Sequence, residues 1–300
     1  PLLMIGNIIF LTFLVCLADG IRRKLVIEKP VKEILEAVEQ ISRGNFGYRA
    51  PVLHSGKRRN EFDLILEGIN QMAEELGNVE TLQTDFISNV SHELKTPLAV
   101  IQNYASVLGS RGLEEEQRKE YTVTIVDTAR RLSGLVTNIL RLNRLENQEI
   151  YPKAQKYPLG EQLRCCILAF EEKWEEKELE VEADIEDLDL FGDEELLEIV
   201  WNNLISNAIK FTGQGGTIRV SLHPSDDFAV VQVADTGCGM DEKTGQHIFD
   251  KFYQGDTSHA QEGNGLGLAM VRRVVDIVQG DISVESRLGK GTVFTVRIRL

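Results

Sequence analysis

The segment Ser91 to Leu98 reads SHELKTPL and contains side chains that could act together in group transfer. The imidazole of His92 is a nucleophile near neutral pH, and the adjacent Glu93 carboxylate could hold its tautomer and accept its proton. In a helix, Thr96 would lie one turn from His92 on the same face, where its hydroxyl could orient a water molecule. Because Pro97 cannot donate an N–H to the Glu93 carbonyl, we expect the helix to bend or loosen there.

The segment 201 to 212, WNNLISNAIKFT, could bind a metal and phosphate groups. Asn203 and Asn207 are four residues apart and would share one face of a helix, with Lys210 close by. Amide oxygens are suitable ligands for a magnesium ion that phosphates already hold, and a lysine can neutralise phosphate charge. These residue types therefore suit a Mg-nucleotide ligand.

Two glycine-containing segments could complete such a site. DTGCGM, residues 235 to 240, ends a strand pattern; its glycines permit a tight turn, and the Asp235 carboxylate could accept a hydrogen bond from a base amino group. GNGLGL, residues 263 to 268, opens a helical pattern whose main-chain N–H groups could cradle phosphates. The contributing residues are Gly237, Gly239, Gly263, Gly265, Leu266 and Gly267. Either segment alone is also compatible with an ordinary turn.

The histidine segment requires a helical hairpin to present it. Helical patterns run from about residue 79 to 108 and from about 115 to 145, around a turn containing Gly109, Ser110 and Gly112. Apolar side chains along the first helix require a second hairpin opposite, so we expect a homodimeric four-helix bundle. These side chains include Leu82, Phe86, Leu94, Leu98 and Ile101.

The asparagine and glycine segments require a different scaffold. Beyond Asn147, strand-like runs alternate with helical patterns, which indicates a separate α+β domain. The strand-like runs cover residues 216 to 222, 228 to 234 and 291 to 300. For a nucleotide held in this domain to reach the histidine, the joint near residues 146 to 152 must be flexible.

The first 18 residues carry no charge. As a helix they would reach about 27 Å, close to a hydrocarbon thickness of roughly 30 Å. A buried soluble helix or a signal-peptide core is the alternative. No basic segment precedes the run, and Arg22, Arg23 and Lys24 follow it, which favours a membrane span with the downstream residues in the cytoplasm. Because the chain begins with Pro and not Met, we expect a sensing region outside this sequence.

Two short heptad stripes follow the apolar run and need partner helices. They consist of Val31, Ile34, Val38 and Ile41, then Phe62, Ile65, Ile69, Met72 and Leu76. A connector containing glycine and proline separates them, and a parallel dimer supplying four helices would bury both. With Pro30 at its start and Glu61 before the second stripe, the stretch resembles a HAMP signal-transmission module. An unrelated coiled-coil linker is the alternative.

The composition excludes some partners. A formal net charge of -14 and a pI near 4.9 place repulsion between this chain and a phosphate backbone, so we expect no nucleic-acid partner. The four cysteines show no CxxC pair, which fits a reducing cytoplasm better than a disulfide scaffold.

The segment SHELKTPL resembles the H box of the sensor histidine kinases. In that family the histidine is phosphorylated, the next acid acts as the base, and the threonine four positions on assists removal of phosphate from the partner regulator. The resemblance carries these roles to His92, Glu93 and Thr96.

The C-terminal segments resemble, in order, the N box and the two glycine boxes of an ATP-binding fold shared with gyrase-type ATPases and a heat-shock chaperone family. Phe249 and Phe252 resemble its aromatic box. The resemblance implies that Asp235 reads adenine and that residues 254 to 264 form a mobile lid. The implied nucleotide site consists of Asn203, Asn207, Lys210, Asp235, Gly237, Gly239, Phe252, Gly263, Gly265, Leu266 and Gly267, with Asn207 as the metal ligand.

Two positions depart from related patterns. In the water-activating ATPases of this superfamily, a glutamate four residues before the metal-binding asparagine is the general base. Asn203 stands there in this chain, which favours transfer to a protein acceptor. Many histidine kinases have arginine after the aromatic box, whereas this chain has Gln254, so Lys210 and Lys251 become the expected charge donors to the γ-phosphate.

The sequence thus predicts a multidomain protein: a transmembrane helix (1–20), a HAMP-like coiled coil (21–76), a dimeric hairpin (77–147) and a Bergerat-like α+β ATP-binding sandwich (148–300). We expect a membrane-bound homodimer that phosphorylates His92 from ATP with Mg²⁺, passes the phosphoryl group to a response-regulator aspartate and also dephosphorylates that regulator. The alternatives are a signalling scaffold, a phosphatase-dominant member with little kinase activity, or a chaperone-like ATPase.

Overall fold

The computed structural model describes residues 2–51, 60–109, 113–147, 152–254 and 264–300. It divides into two units, Pro1–Ser88 and Asn89–Leu300. The helices are α1 (Leu2–Arg23), α2 (Lys29–Ser42), α3 (Glu61–Leu108), α4 (Glu115–Asn147), α5 (Leu159–Leu168), α6 (Glu171–Glu176), α7 (Glu194–Phe211), α8 (Glu242–His247) and α9 (Gly267–Ile277). The strands are β1 (Gln155–Pro158), β2 (Glu180–Ile185), β3 (Asp189–Gly192), β4 (Thr217–Ser225), β5 (Phe228–Asp235), β6 (Asp281–Arg287) and β7 (Gly291–Arg299).

In the first unit, α1 continues into α2 through a π-helical turn at Lys24–Glu28. The N–H of Lys29 donates to the carbonyl of Lys24, five residues earlier. Pro30 follows, and the wider turn accommodates this residue, which has no N–H and a bulky ring. The continuous helix is long enough to cross a membrane, and an 18-residue stretch of it reaches a mean hydropathy of 1.7. The apolar run and the first heptad stripe thus lie on one helix.

A small core joins α2, the connector and the start of α3. Its buried members are Ala37, Ala50, Leu66 and Ile69, and Ile34, Ile41 and Tyr48 pack against them. Asn70 clamps the connector, because its Oδ1 accepts from the N–H of Ala50 at 2.7 Å and its Nδ2 donates to the carbonyl of Ala50 at 2.9 Å. Connector residues 52 to 59 lie outside the described part of the chain.

Helix α3 begins at a reciprocal cap. The N–H of Asn60 donates to Asp63 Oδ2, and the N–H of Asp63 donates to Asn60 Oδ1, each at 3.1 Å. The helix then runs for 48 residues, past Gly77 and through Pro97. The sequence patterns had suggested separate helices for the second heptad stripe and the histidine segment. The structure joins them, since a single glycine weakens a helix without ending it.

In the second unit, the C-terminal half of α3 and α4 form the predicted hairpin. The rings of Tyr104 and Tyr121 contact each other across it, with centroids 5.0 Å apart. Turn residues 110 to 112 lie outside the described ranges. Near the end of α4, Leu142 and Leu145 are buried.

The rest of this unit is an α+β domain, as predicted. Its main sheet has the strand order β2-β4-β5-β7-β6, in which only the β2 and β4 pair is parallel. Strands β1 and β3 form a separate antiparallel pair. Helices α5, α7 and α9 supply the buried face that covers the main sheet, and Trp201 of α7 is fully buried. The Trp201 indole donates to Gln162 Oε1 at 3.0 Å, which satisfies its polar group inside the core.

Candidate functional site

The predicted phosphoacceptor lies on the surface of α3. The His92 side chain is 80% exposed, and its Nδ1 is 3.8 Å from Glu93 Oε1. This distance is longer than a hydrogen bond but within reach of a small side-chain rotation. The ring nitrogen beside the carboxylate is thus Nδ1, and Nε2 lies on the other side of the imidazole.

Thr96 lies one turn further along α3. Its hydroxyl donates to the His92 carbonyl at 3.3 Å, a long hydrogen bond that water could replace. The main chain remains helical through Pro97. The predicted loosening of the helix at this proline stays a prediction.

Helix α7 carries the predicted metal and phosphate ligands. Asp193 caps its start, because Oδ1 accepts from the N–H of Leu196 at 3.0 Å. Four residues apart on α7, Asn203 and Asn207 are both half-buried. Asn203 Nδ2 donates to the Ile199 carbonyl at 2.7 Å, so its amide nitrogen is held against its own helix.

The DTGCGM turn lies directly against the end of α7. A Cβ placed on Gly237 would lie 2.5 Å from the Phe211 carbonyl oxygen, so only glycine permits this approach. The N–H of Cys238 reaches the same carbonyl at 3.4 Å. The structure therefore brings together the segments that resemble the N box and the first glycine box.

Asp235 is the last residue of β5 and the first residue of the DTGCGM turn. Its Oδ1 accepts from the N–H of Gly237 at 2.8 Å. Burial raises the pKa of the Asp235 carboxyl above its ordinary value, while hydrogen bonds from the main chain of Gly237 and Thr292 oppose that shift. A partly desolvated carboxylate is a strong acceptor for a base amino group.

Helix α9 begins beside Asn203. A Cβ on Gly267 would lie 2.5 Å from Asn203 Oδ1, so the start of α9 contacts the N-box amide directly. Phe252 is attached to this region, because its N–H donates to the Gly265 carbonyl at 2.9 Å. Leu266 is fully buried and anchors the turn. The predicted site residue Gly263 and residues 255 to 263 of the predicted lid lie outside the described ranges.

Ser286 supports the site although sequence reasoning did not select it. Its Oγ accepts from the N–H of Met240 at 2.8 Å and donates to the Gly291 carbonyl at 3.1 Å. Gly239 packs against the Arg287 carbonyl in the same region. Forty-six residues separate Ser286 from Met240. No local pattern could therefore have indicated this contact.

The two lysines expected to meet the γ-phosphate differ in their surroundings. Lys210 Nζ lies 4.3 Å from the centroid of the Phe211 ring, at the end of α7. Lys251 Nζ is 2.7 Å from Glu146 Oε1, so in this conformation it pairs with the end of α4. Beside this pair, Arg273 Nε donates to the Leu145 carbonyl at 2.9 Å. Sequence reasoning missed this connection between the hairpin and the α+β domain.

The geometry thus defines an α+β domain in which the Asn203, Asp235 and Gly267 segments meet, attached to a hairpin that exposes a histidine beside a carboxylate. Comparison with protein families agrees with this description. Residues 192–300 match the "Histidine kinase-, DNA gyrase B-, and HSP90-like ATPase" family, residues 82–148 the "His Kinase A (phospho-acceptor) domain", and residues 29–78 the "HAMP domain". The chain belongs to the sensor histidine kinases of two-component systems.

Among curated relatives, the heme sensor protein HssS of Staphylococcus saprophyticus is 30% identical over 273 residues, which is 91% of this chain and 58% of that protein. HssS of Staphylococcus aureus is also 30% identical, over 272 residues, with the same coverage. The chain therefore spans less than two thirds of the length of these relatives.

Two solved structures share much of the architecture. The histidine kinase ThkA in complex with the response regulator protein TrrA has a TM-score of 0.63 at 24% identity, covering 74% of this chain and 63% of that one. Full-length ShkA in complex with AMPPNP has a TM-score of 0.54 at 29% identity, covering 73% of this chain and 45% of that one.

Proposed function

We propose that this chain is the signalling and catalytic part of a membrane sensor kinase that phosphorylates its own His92 from ATP. It then transfers the phosphoryl group to an aspartate of a response regulator. One observation carries this proposal: the same chain contains an exposed imidazole beside Glu93 and a domain in which the Asn203, Asp235 and Gly267 segments meet.

The residues present fit Mg²⁺ and ATP. Asn207 makes no hydrogen bond through its side chain among the described residues, so its amide oxygen is available to a metal ion. The N-terminus of α9 offers main-chain N–H groups for phosphate oxygens, and Asp235 offers a carboxylate for the adenine amino group. Bound Mg²⁺ would neutralise charge that develops on the phosphates during transfer.

In the proposed reaction, His92 Nε2 attacks the γ-phosphorus of ATP while the bond to the ADP oxygen breaks. An N–P bond forms, ADP leaves, and the Nδ1 proton passes to Glu93. Because phosphoryl transfer has a loose transition state, the protein contributes mainly positioning and charge stabilisation. Asn203 stands where related ATPases place a water-activating glutamate, which favours histidine over water as the acceptor.

Exposed apolar side chains support a homodimer. Several members of the two heptad stripes are at least 39% exposed in the single chain, and apolar residues on the hairpin are exposed as well. A second copy would bury them in paired four-helix arrangements. They are Val31, Val38, Ile65, Met72 and Leu76 in the stripes and Leu82, Leu98 and Leu140 on the hairpin.

Three further assignments belong to this proposal: a response regulator as partner, a membrane location and a phosphatase activity. The ThkA complex with TrrA supports a receiver protein as the partner of the hairpin. The α1 helix supports a membrane location, and Arg22, Arg23 and Lys24 at its end support a cytoplasmic position for all that follows. Thr96 supports a second activity, in which its hydroxyl orients water for dephosphorylation of the regulator.

Incubation of the full-length chain with γ-labelled ATP and Mg²⁺ tests the proposal. We expect an acid-labile, base-stable label on the wild type and no such label on His92→Gln or Asn207→Ala. His223→Gln, which replaces a partly exposed histidine on β4, should be labelled normally. Mixed dimers of His92→Gln and Asn207→Ala chains report whether transfer occurs between subunits. Nucleotide binding without any label would support the scaffold alternative, and steady hydrolysis independent of His92 would support the ATPase alternative.

A further inference from the structure

Lys177, at the end of α6, makes an unusual set of main-chain contacts. Its ammonium donates to the carbonyls of Ile209, Lys210 and Thr212 at 2.8, 2.9 and 3.1 Å. A lysine ammonium has three hydrogens, so these contacts use its whole donor capacity. The side chain is half-buried, in contrast to the exposed lysine on the same helix, Lys173.

The three carbonyls belong to the C-terminal end of α7. The last carbonyls of a helix have no partners within it, and a cation there interacts favourably with the helix dipole. A second contact strengthens the link, because the Lys177 carbonyl accepts from the N–H of Gly215 at 3.1 Å. Lys177 therefore holds both the end of α7 and the turn that follows it.

This end of α7 forms one wall of the nucleotide site. The Phe211 carbonyl lies between the Lys210 and Thr212 carbonyls that Lys177 binds, and Gly237 and Cys238 pack on it. Lys210 itself is an expected phosphate contact, and Asn207 lies one turn earlier on the helix. A shift of a few tenths of an ångström in this turn would move both the phosphate side and the adenine side of the site.

The opposite end of α7 has its own restraint in Asp193. At the C-terminal end, the Thr212 hydroxyl donates to the Ala208 carbonyl at 2.6 Å, a contact within its own helix. Lys177 instead joins this end to another element, 32 to 35 residues away along the chain. The three contacts of this ammonium therefore help to set the position of the last turn relative to the rest of the domain.

We propose that Lys177 is a positioning residue of the ATP site, which sets the last turn of α7, and with it Lys210 and the Phe211 carbonyl, against the DTGCGM turn. The inference rests on the proposed function, since it assumes that this site binds ATP.

The test measures binding of trinitrophenyl-ATP with Mg²⁺ to the full-length chain, at a temperature well below each variant's Tm. We expect Lys177→Met to weaken binding about tenfold, because three helix-end carbonyls lose their donor and the turn relaxes. Lys177→Arg keeps the charge, but its planar guanidinium cannot aim N–H groups at the three carbonyls as the ammonium does, so we expect intermediate affinity. Hydrogen exchange at the Cys238 amide, which bonds to Phe211, should become faster in Lys177→Met.

Two controls separate positioning from loss of stability. Lys173→Met removes an exposed lysine from the same helix, and Ile298→Val truncates a buried side chain on β7. Both should bind the nucleotide as the wild type does, although Ile298→Val lowers Tm. If Lys177→Met also lowers Tm but binds normally, Lys177 is only structural and the proposal is wrong.

Other outcomes are also decisive. If Lys177→Met fails to fold, Lys177→Arg decides the matter. Wild-type affinity and unchanged hydrogen exchange at Cys238 in Lys177→Arg would overturn the proposal. Weaker binding and faster exchange in that variant would support it. Failure of the wild type to bind the nucleotide would contradict the proposed function itself, and the inference would fall with it.

Discussion

At the residue scale, close main-chain approach shapes the nucleotide site as much as side-chain chemistry does. Gly237 and Gly267 stand where any Cβ would collide with the Phe211 carbonyl or the Asn203 amide. Their role is to let three separate chain segments touch. Substitution of either glycine by alanine would force these segments apart, because a 2.5 Å contact is far inside van der Waals distance.

The alkylation rates of the cysteine thiols can report nucleotide binding at this turn. Cys238 is exposed within the DTGCGM turn, and Cys165 is exposed on α5. Burial raises the pKa of the Cys166 thiol to about 12, so Cys166 should resist alkylation in the folded protein. We expect Mg-ATP at 100 times its Kd to slow iodoacetamide labelling of Cys238 at least about tenfold, since bound nucleotide covers the turn.

Mass spectrometry of the individual cysteine-containing peptides gives the rates. Cys165 serves as the internal control, because it lies away from the turn and should react equally with and without nucleotide. Equal labelling of Cys238 in both conditions would contradict the placement of adenine beside Asp235.

At the element scale, side-chain pairs join the edge strand β2 to β4. His223 of β4 interacts with two acids near the end of β2. Its Nδ1 is 2.8 Å from Oε1 of Glu186, which follows the strand, and its Nε2 is 3.3 Å from Oδ2 of Asp184, which lies in it. Arg219 and Glu182 form a further pair at 2.6 Å. The edge strand thus depends on ionic contacts as well as on the parallel hydrogen-bond ladder.

These contacts predict a pH-dependent stability. The hydrogen bond to Glu186 raises the pKa of His223 above its ordinary value, so the folded state binds the proton more tightly than the unfolded chain does. The contribution is complete below the unfolded pKa of about 6.5 and is lost as the pH rises through the higher folded pKa. His223→Gln should therefore lower Tm more at pH 5.5 than at pH 9.

Thermal unfolding of both proteins across this pH range measures the difference. Because the ring is partly exposed, solvent screening keeps the effect small. A loss of Tm that is the same at both ends of the range would show that the proton on His223 contributes nothing.

At the scale of the whole molecule, the hairpin and the α+β domain meet where α4 ends. Lys251 binds Glu146, Arg273 binds the Leu145 carbonyl, and Leu145 is buried. Tyr104 and Tyr121 face each other across the hairpin. Because its two helices are antiparallel, His92, 12 residues before Tyr104, lies at about the level of residue 133, 12 residues after Tyr121. At about 1.5 Å per residue, the attachment at Glu146 lies roughly 20 Å further along α4. For His92 to meet ATP, we expect this attachment to rearrange.

Glu146→Gln tests that expectation. The substitution removes the charge that pairs with Lys251 and so weakens the attachment of the α+β domain to the end of α4. We expect the rate of His92 phosphorylation to rise about two- to fivefold, the range that a partly exposed ion pair can supply. Initial rates with γ-labelled ATP give the measurement.

Glu115→Gln is the matched control, because Glu115 is an exposed acid at the other end of the same helix. Its rate should equal that of the wild type. A lower rate in Glu146→Gln would mean that the ion pair assists the active arrangement and does not oppose it.

Much of this architecture could be predicted from the sequence because its signals are local. The 18-residue uncharged run, the helical periodicity around His92, and the strand runs that became β4, β5 and β7 each depend on neighbouring residues. Hydrophobic periodicity and helix-end chemistry act over a few positions, so they can be read from the chain directly. The spacing of Asn203 and Asn207 on one helical face is of the same kind.

Only the tertiary structure decided which distant residues hold that site in place. The contacts of Lys177 with the end of α7, of Ser286 with Met240, and of Lys251 with Glu146 join residues 32 to 35, 46 and 105 positions apart. It also decided that α3 is one continuous helix, and that within one chain Ile34 and Ile69 pack into the core whereas Val38 and Met72 are exposed. A side chain's type limits what it can bind, but its partner is set by how the packed elements bring remote segments together.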